Sequence, residues 1–430
     1  MARLAFFSLP ATGHLNPMTA LGCELQERGH VVTFYQIEDS AAAVEAVGLR
    51  CRVLGKDQFP IGTMPRFFAE LGRLRGRAGL AYTLEFLSRL YEMTLREAPD
   101  VLSEDRIDAL LVDQAGHAVG SVAERLNLPF VNICNCLLLN EEVGIPPFNL
   151  DWRYDPGWRG RLRTRAALQL INWALYRPIF KKLNGIRREW GLHEIRKLND
   201  VFSTLAQISQ QPPEFEFPRR ELPAHFHFTG PFHRRKSRAP VVFPWERIDG
   251  RPLIFASMGT IQNGMEWVFR IIAEACAGFD LQLVMSLGGN ITPESLGTLP
   301  GNPLVVKYAP QLELIEKARL VITHAGLNTA LEALTQGVPM VAIPVTNDQP
   351  AVAARIAWTN TGVVLPLKRL DSQRLRQRIA TVLGNDTYRQ AAQRIQARIA
   401  EANGLRKAAD IVERCFSKPT EAARNATSSL

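Results

Sequence analysis

One stretch, Tyr308 to Gln349, constrains this 430-residue chain more than any other; it reads YAPQLELIEKARLVITHAGLNTALEALTQGVPMVAIPVTNDQ. Leu320 to Thr323 is the kind of apolar run that a parallel strand buried on both faces carries. It stops at His324-Ala-Gly-Leu-Asn-Thr before Ala330 to Leu334 takes up helical spacing. A strand ending on small residues just ahead of a helix aims unpaired backbone N–H groups and the positive end of a helix dipole at one point, which suits a phosphate. Gly326 lets backbone approach such an anion, and Asn328 and Thr329 bring side-chain donors in the first turn. His324 can donate to a diphosphate oxygen, and Glu332 offers a carboxylate to two neighbouring hydroxyls such as a ribose presents. After the next apolar strand, Val338 to Ile343, Asp348 and Gln349 fall at another strand C-terminus, in the crevice where open α/β sheets bind ligands. They suit a polyhydroxylated ring. Each residue alone has a plainer reading: Thr329-x-x-Glu332 also fits a helix capping box, His324 a satisfied turn residue, and Asp348-Gln349 a helix start. Their joint spacing is harder to assign to structure alone.

The chain opens in the same idiom. Arg3 to Leu9 is an apolar strand, Pro10 to Pro17 a loop, Met18 to Arg28 a helix stopped by Gly29, and Val31 to Tyr35 the next strand. This β-loop-α-β opening implies a parallel sheet, without the G-x-G-x-x-G of a dinucleotide site. His14 lies in that first loop, where a neutral imidazole can take a hydroxyl proton near pH 7. The strand Ile107 to Val112 ends in Asp113 ahead of a helical Ala118 to Leu126, where on its own an Asp reads as a helix cap. The second half restarts with a strand at Leu253 to Met258 and a helix from about Met265 to Ala277, with strands at Leu281 to Leu287 and Leu304 to Val306.

These motifs resemble the signature of the family 1 UDP-dependent glycosyltransferases, the group that includes plant secondary-product, carotenoid and macrolide glycosyltransferases. The shared pattern is aromatic-x-Pro-Gln at 308–311, His-x-Gly-x-Asn-Ser/Thr at 324–329, Glu four residues after the Asn, Gly-Val-Pro at 337–339, Asp/Glu-Gln at 348–349, and Gly-His-x-x-Pro at 13–17. The resemblance implies an α/β chain of GT-B architecture, two Rossmann-like domains with parallel sheets facing across a cleft. The expected bounds are an acceptor-binding domain at 1–231, a Pro-punctuated charged linker at 232–250 and a nucleotide-sugar domain at 251–404, with a last helix at about 405–417 returning to the first domain. By resemblance, Tyr308 takes the usual Trp position stacking on uracil, and Gln311 lies beside the base. His324, Asn328 and Thr329 meet the diphosphate, Glu332 the ribose, and Asp348 with Gln349 the sugar hydroxyls. Ser257, Gly259 and Thr260 form the loop that approaches the donor phosphates, and Ala309 and Leu327 belong to the same donor-binding set. His14 is the implied catalytic base and Asp113 its partner. The implied reaction is a single in-line displacement with inversion, needing neither cofactor nor metal. Asp348-Gln349 resembles the ending of glucose users, so UDP-glucose is the expected donor, with dTDP-sugars second because Tyr308 offers less stacking surface than Trp. The expected acceptor is a lipophilic hydroxylated molecule: a carotenoid, a polyketide or macrolide, a sterol or a phenolic. Two other readings stay open, a sugar-nucleotide epimerase on the same fold and a catalytically silent auxiliary subunit.

Composition narrows the remaining classes. At 46% hydrophobic and 22% charged residues the chain is of ordinary globular type, and no run of about 18 apolar residues predicts a membrane-spanning helix. The net charge of +9 prompts the question of an anionic partner. Neither zinc-finger spacing nor an aromatic RNA-binding motif supports nucleic acid. Much of the charge falls in helical patterns at about 60–98 and 160–206, where Arg159, Arg161, Arg163, Arg165, Lys181, Lys182, Arg187 and Arg188 interleave with Trp158, Trp173, Tyr176, Phe180 and Trp190. Such a pattern suits either the surface of an anionic membrane or a solvated basic face over a core. The six cysteines are scattered; Cys134 and Cys136 sit in apolar sequence and read as buried thiols in a reducing, cytoplasmic setting. A monomer or weak dimer is expected, and residues 418–430 read as a frayed polar tail.

Overall fold

The computed structural model describes residues 1–74, 76–238, 240–260, 264–289 and 291–417; the expected tail at 418–430 lies outside them. Two parallel sheets form. The first contains β1 (Arg3–Phe7), β2 (Val31–Gln36), β3 (Arg50–Val53), β4 (Ala109–Asp113), β5 (Phe130–Cys134), β6 (Gln207–Ser209) and β7 (Phe226–Phe228), in the order β3-β2-β1-β4-β5-β6-β7. The second contains β8 (Leu253–Ser257), β9 (Gln282–Ser286), β10 (Leu304–Val306), β11 (Ala318–Thr323), β12 (Met340–Ala342) and β13 (Gly362–Val364), in the order β10-β9-β8-β11-β12-β13. β4, β8 and β9 are buried along their whole length, as strands covered by helices on both faces must be.

Strand order explains where the site falls. In the first sheet the connections run outward in opposite directions from β1 and β4, and in the second from β8 and β11. At such a switch point the loops diverge and leave a crevice at the strand C-termini. β1 delivers the chain to His14 and β4 ends on Asp113, whereas β8 runs into Gly259-Thr260 and β11 into His324.

Several boundaries differ from the sequence reading. The first helix begins at Thr12, so His14 occupies its opening turn rather than a loop, with Pro17 inside the helix. The basic regions resolve into helices Thr63–Arg73 and Gly76–Glu104, and Trp158–Ile171 and Arg177–Glu189 joined by a π-helical turn at Asn172–Tyr176. Beyond Glu189 the expected helix gives way to irregular backbone with one 3₁₀ turn at Leu198–Val201. Cys134 is buried, but Cys136 is only partly so and lines the cleft, and all six cysteines are free thiols. The helix Gly404–Ser417 lies against Thr12–Glu27, tied by Arg28 to Asp410 at 2.6 Å and Glu413 at 2.8 Å.

Candidate active site

The His14 imidazole is anchored from below. Its Nδ1 lies 2.6 Å from Asp113 Oδ2, and the Asp113 side chain is fully buried. The same carboxylate accepts from the Leu9 N–H at 3.3 Å and the Ala115 N–H at 3.0 Å. Burial works against ionising Asp113, yet the His14 charge and hydrogen bond and the Ala115 N–H hold its carboxyl below the usual range. Burial likewise pulls His14 down, but the Asp113 charge and hydrogen bond, with Asp348 adding to them, carry it above its ordinary 6.5. With Nδ1 committed to Asp113, Nε2 is the nitrogen left for a substrate proton.

Across the cleft, Gly326 caps the helix Leu327–Thr335. Ala325 sits at φ 64°, a left-handed conformation that turns the chain from β11 into the helix. The His324 ring fills the space that side chains on Gly259 and Gly326 would take; a Cβ there would meet its Nε2 at 2.6 Å and 2.5 Å. Gly326 thus makes room for the His324 imidazole. Burial pushes His324 down to about 4, so the ring is neutral and carries one N–H.

His14, Ser257, Gly259, Thr260, Tyr308, Ala309, Gln311, His324, Gly326, Leu327, Asn328, Thr329, Glu332, Asp348 and Gln349 all line one cleft of about 1600 Å³, with Asp113 behind it. Several of these side chains already hold protein partners. Gln311 donates to Thr329 at 3.2 Å and to Glu332. Glu332 also takes Arg238 at 2.5 Å, and despite burial its carboxyl is held low by that guanidinium first, then by His233 and Gln311. Asn328 donates to the Gly13 carbonyl at 2.5 Å and accepts from Gln210 at 2.8 Å. Asp348 accepts from the Leu137 N–H at 3.1 Å, and its burial raises its carboxyl. The Gln349 side-chain oxygen accepts from the Val345 and Thr346 N–H groups at 2.9 and 3.0 Å. Tyr308 is half exposed, beside Gly289, where a Cβ would collide with its hydroxyl.

The Gly13 contact has a covalent cause. Pro17 has no N–H, so the carbonyl four residues earlier in the helix lacks its usual partner. That carbonyl is Gly13, the one Asn328 reaches across the cleft.

Sequence reasoning missed Arg238 and Lys236, which line the cleft from the segment read as a linker, and Gln210, which donates to Asn328 and to the Asn135 carbonyl. The only signal was the charge run HRRKSR at 233–238. Among the described residues no group of three or more His, Cys, Asp or Glu is arranged to hold a metal ion, and no helix is long and apolar enough to cross a membrane.

Comparison with solved structures defines the class: the fold is that of GT-B glycosyltransferases. The calicheamicin glycosyltransferase CalG4 matches at a TM-score of 0.75 and 22% identity, over 97% of this chain and 99% of that one. The glycosyltransferase VinC in complex with dTDP matches at 0.70 and 20%, over 97% and 100%. At the level of sequence, residues 170–400 match the family model described as UDP-glucoronosyl and UDP-glucosyl transferase. Zeaxanthin glucosyltransferase of Pantoea ananas is 32% identical over 97% of both chains. 4'-Demethylrebeccamycin synthase of Lentzea aerocolonigenes is 29% identical over 96% of this chain and 99% of its own. The chain belongs to the UDP-dependent glycosyltransferases of family 1.

Proposed function

We propose that this glycosyltransferase moves glucose from UDP-glucose to a hydroxyl of a lipophilic small molecule, with inversion and without a metal ion. His14 Nε2 removes the acceptor proton as the oxygen attacks the anomeric carbon, and Asp113 steadies the imidazolium. The diphosphate departs toward the start of the helix Leu327–Thr335, where fixed N–H groups meet the growing charge without reorganising. The observation that carries this reading is His14, held at 2.6 Å by the buried Asp113, lining the same cleft as that helix start. The similarity to a zeaxanthin glucosyltransferase supports a glucosyl donor and a lipophilic acceptor. The test is incubation with UDP-glucose, and in parallel dTDP-glucose, against a panel of hydroxylated carotenoids, polyketides, sterols and phenolics, following nucleotide release and product mass. Glucoside formation that survives a chelator, with inverted configuration, is expected; epimerised donor without acceptor, or silence throughout, defeats the proposal.

Delivery of such an acceptor bears on the exposed face of residues 158–176. Trp158, Leu162, Leu170 and Trp173 are exposed at 71, 61, 63 and 65%. No carboxylate occurs between 156 and 188, where Arg159, Arg161, Arg163, Arg165, Arg177, Lys181, Lys182 and Arg188 are exposed, while Arg187 is buried against Glu124. An apolar ridge ending in tryptophans and flanked by cations fits an anionic bilayer surface. The inner side of the same segment, at Leu175, Tyr176 and Ile179, lines the cleft. Pelleting with phosphatidylglycerol vesicles, weakened by salt and by Trp158→Ser with Trp173→Ser, is expected; no pelleting at low salt overturns this part.

A further inference from the structure

The acceptor half of the cleft is walled by hydrocarbon and aromatic rings, among them Phe67, Phe86, Leu87, Tyr91, Tyr176 and Ile179. Thr83, Asn135 and His117 are polar side chains within this wall. His117 follows Asp113 by four residues, in the turn that leads into the helix Val119–Leu126, and it lines the cleft at 7% exposure. Beside it, the Tyr91 hydroxyl donates to the Ala115 carbonyl at 2.6 Å. Its ring stands 5.8 Å from the ring of Tyr91 and 5.9 Å from that of Tyr176.

Among the described residues, neither ring nitrogen of His117 meets a hydrogen-bond partner. Burial pushes the group down to about 4, so the ring is neutral, with one N–H to donate and one lone pair to accept. An aromatic face can serve the N–H weakly and can do nothing for the lone pair. A buried polar group left unpaired is costly, and most buried polar groups find a partner in protein, water or ligand. A position serving only to pack between two tyrosines would suit an apolar ring better.

We infer that His117 is a specificity-determining residue that hydrogen-bonds a second oxygen function of the acceptor, apart from the hydroxyl that His14 deprotonates. The inference rests on the proposed transferase reading and narrows its substrate class. The preferred acceptor is an alcohol or phenol carrying a carbonyl or further hydroxyl, in preference to a hydrocarbon bearing a single hydroxyl. A site with a polar group waiting for a partner rejects the analogue that lacks one, because binding that analogue leaves the group buried and unpaired.

The experiment uses the full chain with UDP-glucose and matched acceptor pairs that differ by one oxygen function: 7-hydroxycoumarin against 2-naphthol, and a 3-hydroxysteroid with and without a ring ketone. The wild type is expected to favour the oxygenated member of at least one pair by about ten- to a hundredfold in kcat/KM. His117→Phe is expected to collapse that ratio to within a few-fold of one, and His117→Asn, which keeps a donor and an acceptor, to restore part of it. The melting temperature of His117→Phe should equal or exceed that of wild type, since it removes an unpaired polar group. An unchanged ratio in His117→Phe, equal loss on both members of each pair, or a fall in melting temperature that Asn does not repair overturns the inference while leaving the transferase reading standing. Failure of the wild type to glycosylate any panel member removes both.

Discussion

At the scale of the residue, the proposed chemistry depends on which state of His14 is present. Burial alone would leave the imidazole easy to deprotonate, but the Asp113 charge outweighs it and raises the group above 6.5. A general base works in its neutral form, so kcat/KM should climb with pH along a limb whose midpoint lies above 6.5. Asp113→Asn removes the charge that raises His14 and leaves the burial that lowers it. The midpoint should therefore move to lower pH even as the rate falls, by up to about 10⁴-fold, because the imidazolium loses its counter-charge. His14→Ala should lose about 10² to 10⁴ in kcat and lose the ascending limb with it. UDP affinity should be nearly retained in this variant, because the imidazole lies on the side of the cleft opposite the helix start at Leu327. A pH–rate profile with a calorimetric UDP titration checks all three, and a midpoint that stays put in Asp113→Asn would show that the pair is not electrostatically coupled.

At the scale of the element, what was legible in the sequence followed from local periodicity. The apolar runs before His14, Asp113, Gly259 and His324 are short-range patterns, and they became β1, β4, β8 and β11 with ends shifted by only a few residues. Of the three-residue strands, β10 and β12 lie in apolar runs that mark them, whereas β6 and β7 have no such run; β6, β7 and β13 are too short to show a period and borrow their hydrogen bonds from a neighbour. The partners of Glu332 and Asn328 were illegible for a different reason: Arg238 lies 94 residues from Glu332 and Gly13 lies 315 from Asn328, distances over which no local pattern extends. Pro17 was visible, but its effect was not, because a proline in an early helical turn was taken to close a loop. Its consequence is testable. Pro17→Ala supplies the N–H that Gly13 lacks, so the helix should be as stable as wild type or more so, given that an interior proline costs a helix about 3 kcal/mol. Asn328 would then compete for a carbonyl already engaged within its own helix, and kcat/KM should fall by roughly fivefold, an expectation built on one hydrogen bond of about 1 kcal/mol. A stabilised variant with full activity would show that the contact between the helix start at Leu327 and the His14 turn is incidental.

At the scale of the whole molecule, the two switch points face each other only if the sheets are fastened away from the cleft. Leu137 and Phe215, from the first half of the chain, pack into the core of the second sheet together with Phe255 and Leu331. Beside them Arg355 reaches Glu216 through two N–H groups, at 3.1 and 2.5 Å, with the guanidinium 4.3 Å from the centre of the Phe217 ring and both charged side chains at most 2% exposed. The helix Gly404–Ser417 completes the fastening from the other end, starting where a Cβ on Gly404 would meet the Gly230 backbone at 2.5 Å. A buried pair of this kind contributes little beyond what apolar packing would, but breaking it strands a charge. Burial pushes Glu216 up while Arg355 and then Arg219 hold it below its ordinary 4.5, so the pair stabilises the fold above that pH and loses its effect as pH falls through the depressed value. Arg355→Met should therefore cost about 3–5 kcal/mol at neutral pH, measured by denaturant unfolding. In that variant Arg219, 3.5 Å from Glu216, is the cation left to oppose burial, so Glu216 takes up a proton more readily than in wild type and the deficit should shrink as the buffer is acidified. Adding Glu216→Gln should recover part of the loss at neutral pH by removing the stranded carboxylate. A deficit independent of pH, unrelieved by Glu216→Gln, would mean that Arg355 acts through packing on Phe217 rather than through its charge.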